Sequence, residues 1–199
     1  MTTIQLLLAL LPVAYLLGSI PFGLIIAKRR GIDPRTAGSG NIGATNVMRT
    51  TGRGAGILTL ILDIAKGYTA VWIAGRLSEG DVLWTSVAAV TVMLGHAYPV
   101  FLGFKGGKAV ASVVGAFLCL TPTALAVEII IFVVMVVSTR HISMGSIVAA
   151  ATLPLAVFLV ARAPTPAVAA ALIAGGFVIY RHSSNVTRLR AGTESVFKF

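Results

Sequence analysis

Long apolar runs separated by short polar segments dominate the pattern along the chain. The first run carries no charge from residue 4 to residue 27, and a helix needs about 20 apolar residues to cross the hydrocarbon of a bilayer. Six further runs follow, at residues 54–75, 82–104, 109–120, 122–139, 142–161 and 163–180. The pattern predicts an all-α, polytopic integral membrane protein with about seven transmembrane helices.

Two of these spans come from one long apolar stretch. Residues 109–139 contain a single charge, Glu128, and the stretch is long for one span and short for two. Proline disfavours the helical conformation at the residue before it, so Thr121 and Pro122 offer a turn in the middle. We therefore interpret the stretch as two short helices.

The distribution of basic residues indicates the orientation of these helices. The chain has 16 Lys and Arg against 6 Asp and Glu, for a net charge of +10. With seven spans and the N-terminus outside, thirteen basic residues fall on the inner segments and only Arg76 and Arg162 on the outer ones. Basic residues favour the cytoplasmic side of a membrane. We therefore expect a cytoplasmic C-terminus and a cytoplasmic polar face, in one membrane-embedded domain covering residues 1–199.

Composition excludes several other classes of protein. Apolar residues make up 57% of the chain and charged residues 11%, whereas soluble domains average about 25% charge. The single cysteine, Cys119, excludes an intramolecular disulfide and a cysteine-based zinc site. The basic excess is compatible with nucleic acid, anionic lipid or a phosphorylated small molecule. Nucleic acid is the weakest of these, since the chain has no large polar domain, and we expect no nucleic-acid partner.

The first polar segment, residues 38–49, is rich in glycine and in hydrogen-bonding side chains. Gly38 to Gly43 matches the dinucleotide-binding fingerprint in form, but no strand precedes it as that motif requires. Glycines can still let backbone N–H groups converge on an anion, and a helix beginning near Gly43 would add its dipole. The alternative is a plain connector. The candidate site residues in this segment are Gly38, Ser39, Gly40, Asn41, Thr45, Asn46 and Arg49.

The second polar segment runs from residue 95 to residue 108 and ends in two lysines around a glycine pair. It fails the Walker phosphate-loop pattern, because Leu102 and Ala109 stand where that pattern requires glycine and a hydroxyl residue. The two lysines nevertheless suit a monophosphate. The alternatives are an interfacial turn with snorkelling lysines and, for the histidine, a packing role. The candidate site residues here are His96, Lys105, Gly106, Gly107 and Lys108.

The third polar segment covers residues 181–194. His182 and Asn185 are three residues apart and share one face if the segment is helical, and Arg188 follows them. The alternative is a basic tail that touches anionic lipid. Ser146, near the start of a span, is a smaller candidate, for which a capping or helix-packing role is the simpler explanation.

The acidic residues indicate little catalytic chemistry by themselves. Asp63 and Lys66 lie at i,i+3 within a span and can neutralise each other on one helix, which is a structural explanation for both. Glu128 has no cation close in sequence, so a protonated, an interfacial and a paired state all stay open. No pattern of carboxylates and histidines suited to a divalent metal is present in the sequence, and we expect neither a metal nor a cofactor.

The three polar segments closely resemble the three motifs of the bacterial acyl-phosphate:glycerol-3-phosphate acyltransferases, the PlsY family. The resemblance spans the chain, and its most specific part is the run Gly-Ser-Gly-Asn-Ile-Gly-Ala-Thr-Asn-Val at residues 38–47. The family usually has glycine and threonine where this chain has Ala109 and Ser112, and charged residues where it has Ser183 and Ser184. Alanine has less backbone freedom than glycine, which argues against an unusual φ at residue 109.

The resemblance implies an enzyme of phospholipid synthesis in the bacterial cytoplasmic membrane. Such an enzyme transfers a fatty acyl group from acyl phosphate to glycerol 3-phosphate and gives 1-acyl-glycerol 3-phosphate and phosphate. A functional link to the enzyme that forms acyl phosphate is then expected. A transporter of a small organophosphate anion is the alternative, but a carrier needs substrate groups near the midplane. A structural protein that binds anionic lipid is a further alternative.

The resemblance also implies roles for the candidate residues. The loop at residues 105–108 would hold glycerol 3-phosphate with help from Arg49. On chemical grounds His182 is the candidate general base, since the ordinary histidine pKa of about 6.5 suits that task. The alternative is a positioning donor, with a phosphate of a bound substrate accepting the proton. Glu194 would have a structural role and pair with an arginine of the tail. The residues expected to orient the reacting groups are Ser39, Thr45 and Asn185.

Overall fold

The computed structural model describes residues 3–197, and this part of the chain is helical without any strand. The all-α prediction is therefore confirmed. The helices are α1 (Thr3–Ser19), α2 (Phe22–Lys28), α3 (Ala44–Thr51), α4 (Arg53–Leu77), α5 (Val82–Ala97), α6 (Val110–Leu120), α7 (Pro122–Thr139), α8 (Ile142–Leu159), α9 (Thr165–Arg181) and α10 (Ser183–Arg190), with a short 3-10 turn at Val100–Leu102.

The helices confirm a multi-pass membrane protein but leave the number of spans open. The segments long and apolar enough to cross a bilayer are Leu8–Lys28, Arg53–Leu77, Val82–Leu102, Pro122–Thr139 and Ile142–Leu159, and α9 with α10, bent by 52°, makes a sixth if the two form one span. Helix α6 has 11 residues, about 16 Å at 1.5 Å per residue. The count of seven and the sides of the termini stay predictions, and residues 1, 2, 198 and 199 lie outside the described residues.

The chain divides into two compact units, residues 1–119 and 120–199. In the first unit α4 packs against α1, α2, α3 and α5. Glycines allow close approaches between helices of this unit. A Cβ at Gly18 would overlap the Val92 carbonyl of α5, and a Cβ at Gly67 would overlap the Ser112 carbonyl of α6. Small residues at such crossings let helix backbones pack closely in lipid.

The first apolar run forms two helices rather than one kinked helix. Helix α1 ends at Ser19 and α2 begins at Phe22. Pro21 has no N–H to donate, and the Ile20 N–H bonds the Leu17 carbonyl at 3.3 Å, a tighter turn than the α-helix. The Ile20 carbonyl lies at this break and accepts a hydrogen bond from Lys66.

The second unit is built on α7, α8 and α9. Helix α7 begins at Pro122 directly after Thr121, so the predicted turn in the long apolar stretch is confirmed. Glu128 of α7 lies buried at 4% exposure, and its Oε2 accepts a hydrogen bond of 2.8 Å from Thr152 of α8. The structure therefore shows Glu128 in contact with another helix, through a hydrogen bond that either protonation state of the carboxyl can accept.

Candidate active site

The loop at residues 34–46 is held together by the side chain of Asn46. This residue is 2% exposed, and its Oδ1 accepts a hydrogen bond of 2.8 Å from the Ser39 N–H. Its Nδ2 lies 2.9 Å from the Pro34 carbonyl, 3.0 Å from that of Ala37 and 2.8 Å from that of Asn41. The two Nδ2 hydrogens are shared among these three carbonyls, so one amide contacts four backbone groups that lie outside any helix or sheet.

Two glycines give this loop its path. Gly38 and Gly40 have φ of +61° and +72°, a region that residues with a Cβ seldom adopt. A Cβ at Gly38 would also overlap Oδ1 of Asn46. The Gly40 N–H donates to the Ala37 carbonyl at 3.1 Å, so it holds the shape of the loop, as the Ser39 N–H does. These two N–H groups are therefore engaged within the loop and not directed at an anion.

The loop and α3 present exposed polar side chains that are available for chemistry. Helix α3 begins at Ala44 after Gly43, as the sequence predicts. Ser39, Thr45 and Arg49 are exposed, and Thr45 and Arg49 lie at i,i+4 on one face of α3. A hydroxyl and a guanidinium are therefore presented together on a short helix whose entry loop is fixed by Asn46.

The second polar segment docks its glycine pair onto the end of α5. The Gly106 N–H donates to the Ala97 carbonyl at 3.1 Å, and the Gly107 N–H donates to the His96 carbonyl at 3.2 Å. A Cβ at Gly107 would overlap the His96 ring, and a Cβ at Gly106 would overlap the His96 carbonyl. Only glycine fits here. The flanking Lys105 is exposed and Lys108 is half-buried.

The residue after this loop has an unexpected backbone conformation. Ala109 has φ of +64°, in the left-handed region, although alanine there argues from sequence against an unusual φ. Ala109 is 1% exposed, and its carbonyl accepts from the Val113 N–H at 2.9 Å in the first turn of α6. The packing of the unit therefore imposes the conformation that the sequence disfavours.

His96 is buried and has polar partners on one ring nitrogen. Nδ1 lies 3.0 Å from Oγ of Ser112 and 3.8 Å from Oδ1 of Asp63. In a Ser-His-Asp triad the serine and the carboxylate contact opposite ring nitrogens, so this cluster is not a triad. Ile42 lines the same narrow cleft as Asp63 and His96. The structure therefore brings the first and second polar segments together within the first unit.

The third polar segment lies in the second unit, where α9 bends into α10. His182 stands at the bend and is 3% exposed, and its Nδ1 lies 2.7 Å from the Val178 carbonyl. A carbonyl can only accept, so Nδ1 carries the hydrogen. In the neutral ring, Nε2 then carries no hydrogen and is the nitrogen whose lone pair a base would use.

Glu194 organises the residues that follow His182. Its Oε1 accepts a hydrogen bond of 2.6 Å from Asn185, and its Oε2 accepts one of 2.7 Å from Arg188. The predicted pairing of Glu194 with a tail arginine is confirmed. Burial alone would raise the pKa of this carboxyl, but the hydrogen bonds from Asn185 and Arg188 outweigh it and hold the pKa below its usual range. Asn185 is itself 4% exposed, so its amide is fixed in place.

Ser146 and two of the acidic residues have partners within their own helices or segments. The Ser146 hydroxyl donates to the Ile142 carbonyl of its own helix at 3.0 Å and is 5% exposed, a bond common for serine within helices. Asp63 and Lys66 form the expected i,i+3 ion pair at 2.8 Å. Among residues 3–197, no cluster of three His, Cys, Asp or Glu side chains is placed to hold a metal ion.

Sequence reasoning missed the partners of His96. The distance along the chain explains this, because Asp63 and Ser112 lie in two other helices and no local spacing links them to His96. The role of Asn46 was missed for a different reason. Its residue type suggests a ligand, but the path of the loop turns its amide inward, onto four backbone groups. An asparagine three residues after the last glycine of this run is the signal that was available.

Fold and site together describe a multi-pass membrane protein with cationic, glycine-shaped polar segments. The model of the family described as glycerol-3-phosphate acyltransferase matches residues 8–192, and the chain belongs to this family. A glycerol-3-phosphate acyltransferase of Geobacter sulfurreducens is 48% identical over 191 residues, which cover 96% of this chain and 97% of that protein. One from Geobacter metallireducens is 51% identical over 189 residues, covering 95% and 96%.

Solved structures agree with this assignment. The crystal structure of PlsY (YgiH), an integral membrane glycerol 3-phosphate acyltransferase, in its glycerol 3-phosphate form superposes with a TM-score of 0.91 at 41% identity, covering 96% of this chain and 95% of that one. The lysophosphatidic acid form of the same protein superposes with a TM-score of 0.89 at 40% identity.

Proposed function

We propose that this protein transfers a fatty acyl group from an acyl phosphate to glycerol 3-phosphate. The oxygen of a glycerol hydroxyl forms the new ester bond to the acyl carbon, and the bond between that carbon and the phosphate oxygen breaks. The hydroxyl proton passes to a base or to a phosphate. The products are 1-acyl-glycerol 3-phosphate and inorganic phosphate.

The observation that carries this proposal is the pair of cationic segments in the first unit. Arg49 stands on a helix whose entry loop is fixed by Asn46, and Lys105 and Lys108 flank a glycine pair fixed on the end of α5. Both proposed substrates carry phosphate, which cations on fixed backbones bind well. Family membership supports the acceptor, and the relatives' names specify glycerol 3-phosphate.

Acyl phosphate is a suitable donor for a site of this kind. Its acyl group is already activated, so transfer requires no covalent intermediate on the protein. The rate can come from orientation of the two substrates and from donors to the oxyanion of the tetrahedral intermediate. In this proposal Gly38, Ser39, Gly40, Asn41, Thr45 and Arg49 form one side of the site, with residues 105–108 for the acceptor phosphate.

The third segment would act on the acceptor hydroxyl. His182 holds its Nδ1 hydrogen on the Val178 carbonyl, which leaves Nε2 to take the proton or to position the hydroxyl. Asn185 is oriented by Glu194, and Arg188 adds a cation. Two candidates have indirect roles: Asn46 shapes the first loop and His96 supports the glycine pair. Ser146 remains a predicted contact.

The membrane arrangement is part of the same proposal. We place the protein in the bacterial cytoplasmic membrane as one domain, residues 1–199, with seven spans, the N-terminus outside and the active site facing the cytoplasm. The lipid-soluble donor would reach the site from the bilayer, and the enzyme that makes acyl phosphate would supply it. Reporter tags at the two ends are expected on opposite sides of the membrane, and tags on the same side would contradict seven spans.

The donor is tested with purified protein and three acyl donors. Glycerol 3-phosphate is incubated with palmitoyl phosphate, palmitoyl-CoA or palmitoyl-acyl carrier protein, and both phosphate release and lysophosphatidate are measured. We expect product in equal amounts with released phosphate, from palmitoyl phosphate only. Product from either thioester and none from palmitoyl phosphate would contradict the proposed donor while retaining an acyltransferase.

A vesicle experiment distinguishes the alternative function. Protein is reconstituted into sealed vesicles, and labelled glycerol 3-phosphate is added outside with and without palmitoyl phosphate. The proposal predicts labelled lipid only when the donor is present. Accumulation of unchanged glycerol 3-phosphate inside the vesicles, without lipid product, would favour an organophosphate transporter.

A further inference from the structure

Asp63 and Lys66 form a buried ion pair that the proposed reaction does not use. Their side chains are 4% and 3% exposed, and Nζ of Lys66 lies 2.8 Å from Oδ1 of Asp63. Neighbouring charges at i,i+3 explain why the two neutralise each other. They do not explain why α4 carries a charged pair at this level, since apolar residues of similar size often serve a buried position as well.

Lys66 makes a second contact, at the break in the first span. Its Nζ donates to the Ile20 carbonyl at 2.9 Å, and the ammonium lies 5.9 Å from the centre of the Phe22 ring. The Ile20 carbonyl stands directly before Pro21, where the helical hydrogen-bond pattern is interrupted. Lys66 therefore fixes the joint between α1 and α2 onto α4.

Asp63 reaches in the opposite direction, towards His96. Its Oδ1 lies 3.8 Å from Nδ1 of His96, the nitrogen that also lies 3.0 Å from Oγ of Ser112. At 3.8 Å the carboxylate lies beyond hydrogen-bond distance, but its negative charge favours a hydrogen on Nδ1. Oγ of Ser112 is placed to accept that hydrogen, so charge and hydrogen bond together select one tautomer of the ring.

His96 in turn supports the lysine loop. The His96 carbonyl accepts from the Gly107 N–H at 3.2 Å, and the His96 ring lies so close to Gly107 that a Cβ there would overlap Nε2. A tilt of the ring would therefore displace Gly107. Lys108 is the next residue and would move with it.

We propose that Asp63 and Lys66 are positioning residues for the acceptor site. Lys66 anchors the pair on the break between α1 and α2, and Asp63 orients His96. His96 then holds Gly106 and Gly107 so that Lys105 and Lys108 converge on the phosphate of glycerol 3-phosphate. This inference rests on the proposed function, because it assigns the lysine loop to the acceptor. The acyl donor is not bound by this loop in the proposal.

The test removes both charges at once. Loss of one partner would strand a buried charge and destabilise the fold, whereas the double variant D63N/K66M leaves none. We expect it to elute like the wild type in detergent and to melt at a somewhat lower temperature, because the Ile20 carbonyl loses its Lys66 donor. Its KM for glycerol 3-phosphate should rise by about tenfold, as for one weakened phosphate contact, with the KM for palmitoyl phosphate within about twofold. Glu128→Gln, which changes another buried intramembrane carboxylate, is the matched control and should leave both KM values unchanged.

Two results would overturn the inference. One is an unchanged KM for glycerol 3-phosphate in the double variant, and the other is an equal rise in both KM values, which indicates a merely structural role. If the double variant does not fold, Asp63→Glu decides, because it keeps the ion pair but moves the carboxylate by one methylene relative to His96. A selective rise in KM for glycerol 3-phosphate supports the inference, and its absence overturns it. A wild-type protein without product in the same assay would instead refute the proposed function, and this inference with it.

Discussion

Two polar segments are each held in place by one side chain. A neutral amide holds the Asn46 loop, residues 34–46, and a carboxylate holds the Glu194 segment, residues 182–194. Asn46 offers an acceptor and donors to four backbone groups. Glu194 offers only acceptors, and it holds the side chains of Asn185 and Arg188. A neutral amide suits a loop whose unsatisfied groups are both N–H and C=O. A carboxylate suits a segment whose task is to fix donors.

The difference determines which groups remain for chemistry. In the Asn46 loop the backbone N–H groups of Ser39 and Gly40 are hydrogen-bonded within the loop. The side chains of Ser39, Thr45 and Arg49 are exposed. In the Glu194 segment the functional side chains themselves are buried, with His182 and Asn185 at 3% and 4% exposure. We infer that the first segment contributes through exposed side chains on a rigid backbone, and the second through side chains fixed individually.

The largest expected effect follows from removing the amide that holds the first loop. Asn46→Ala removes the acceptor of the Ser39 N–H and the two N–H hydrogens that three carbonyls share, and each bond contributes about 1 kcal/mol. The loss of about 3 kcal/mol or more lowers kcat/KM by roughly a hundredfold or more, if the loop must be formed for activity. Asn46→Asp should be as damaging, since a second acceptor would face three carbonyls.

The control for this experiment is Thr36→Ala in the same loop. The Thr36 hydroxyl is exposed and bonds only the Asp33 carbonyl at 3.1 Å, so activity should stay within about twofold, as for most surface substitutions. If Asn46→Ala and Thr36→Ala have the same small effect on kcat/KM, the loop does not depend on Asn46.

A smaller effect is expected when the carboxylate of the Glu194 segment is neutralised. Glu194→Gln keeps one acceptor but loses the charge-assisted bond to Arg188, which is 37% exposed at the side chain. Exposure reduces the contribution of this pair to about 1 kcal/mol, so we expect kcat/KM to fall by roughly five- to tenfold. Glu79→Gln, which changes an exposed acid on a turn, is the control. A loss as large as that of Asn46→Ala would show that the two segments do not differ as described.

The two segments should also differ in their response to acid. Because the pKa of Glu194 lies below its usual range in the folded protein, the stability that it provides is complete above the unfolded carboxyl pKa of about 4.3 and is lost as pH falls through the folded value. The side-chain amide of Asn46, which holds the other loop, does not titrate. The neighbouring Asp33, whose pKa Arg35 lowers to about 2, stays ionised in this range.

Hydrogen exchange measures this difference. After correction for intrinsic exchange rates, protection of residues 182–194 should fall severalfold between pH 5 and about pH 3, while protection of residues 34–46 stays constant. In Glu194→Gln the first change should disappear. Parallel loss of protection in both segments would contradict the assignment of the acid response to Glu194.

A feature could be predicted from the sequence when the residues that determine it are close together along the chain. The turn at Thr121 and Pro122 and the pairing of Asp63 with Lys66 are local, and both predictions are confirmed. The contact of Asp63 with His96 joins separate helices, and no periodicity in the sequence indicates it. Residue types in the three polar segments predict phosphate chemistry, but the direction in which each side chain points was not predictable.

The smallest effect concerns the end of the second polar segment, where an unusual backbone conformation takes the place of a single stabilising side chain. The loop at residues 105–108 leads into Ala109 with φ of +64°, where a residue with a Cβ loses about 1–2 kcal/mol relative to the right-handed region. Ala109→Gly removes this strain but adds freedom to the unfolded chain. We expect a net stabilisation of about 0.5 kcal/mol, with kcat/KM within about twofold. The control is Ala111→Gly, inside α6, where glycine should instead destabilise by about 0.5–1 kcal/mol. If the two variants change the melting temperature in opposite directions, Ala109 is strained in the wild-type loop. An equal decrease in both variants would show that Ala109 is not strained.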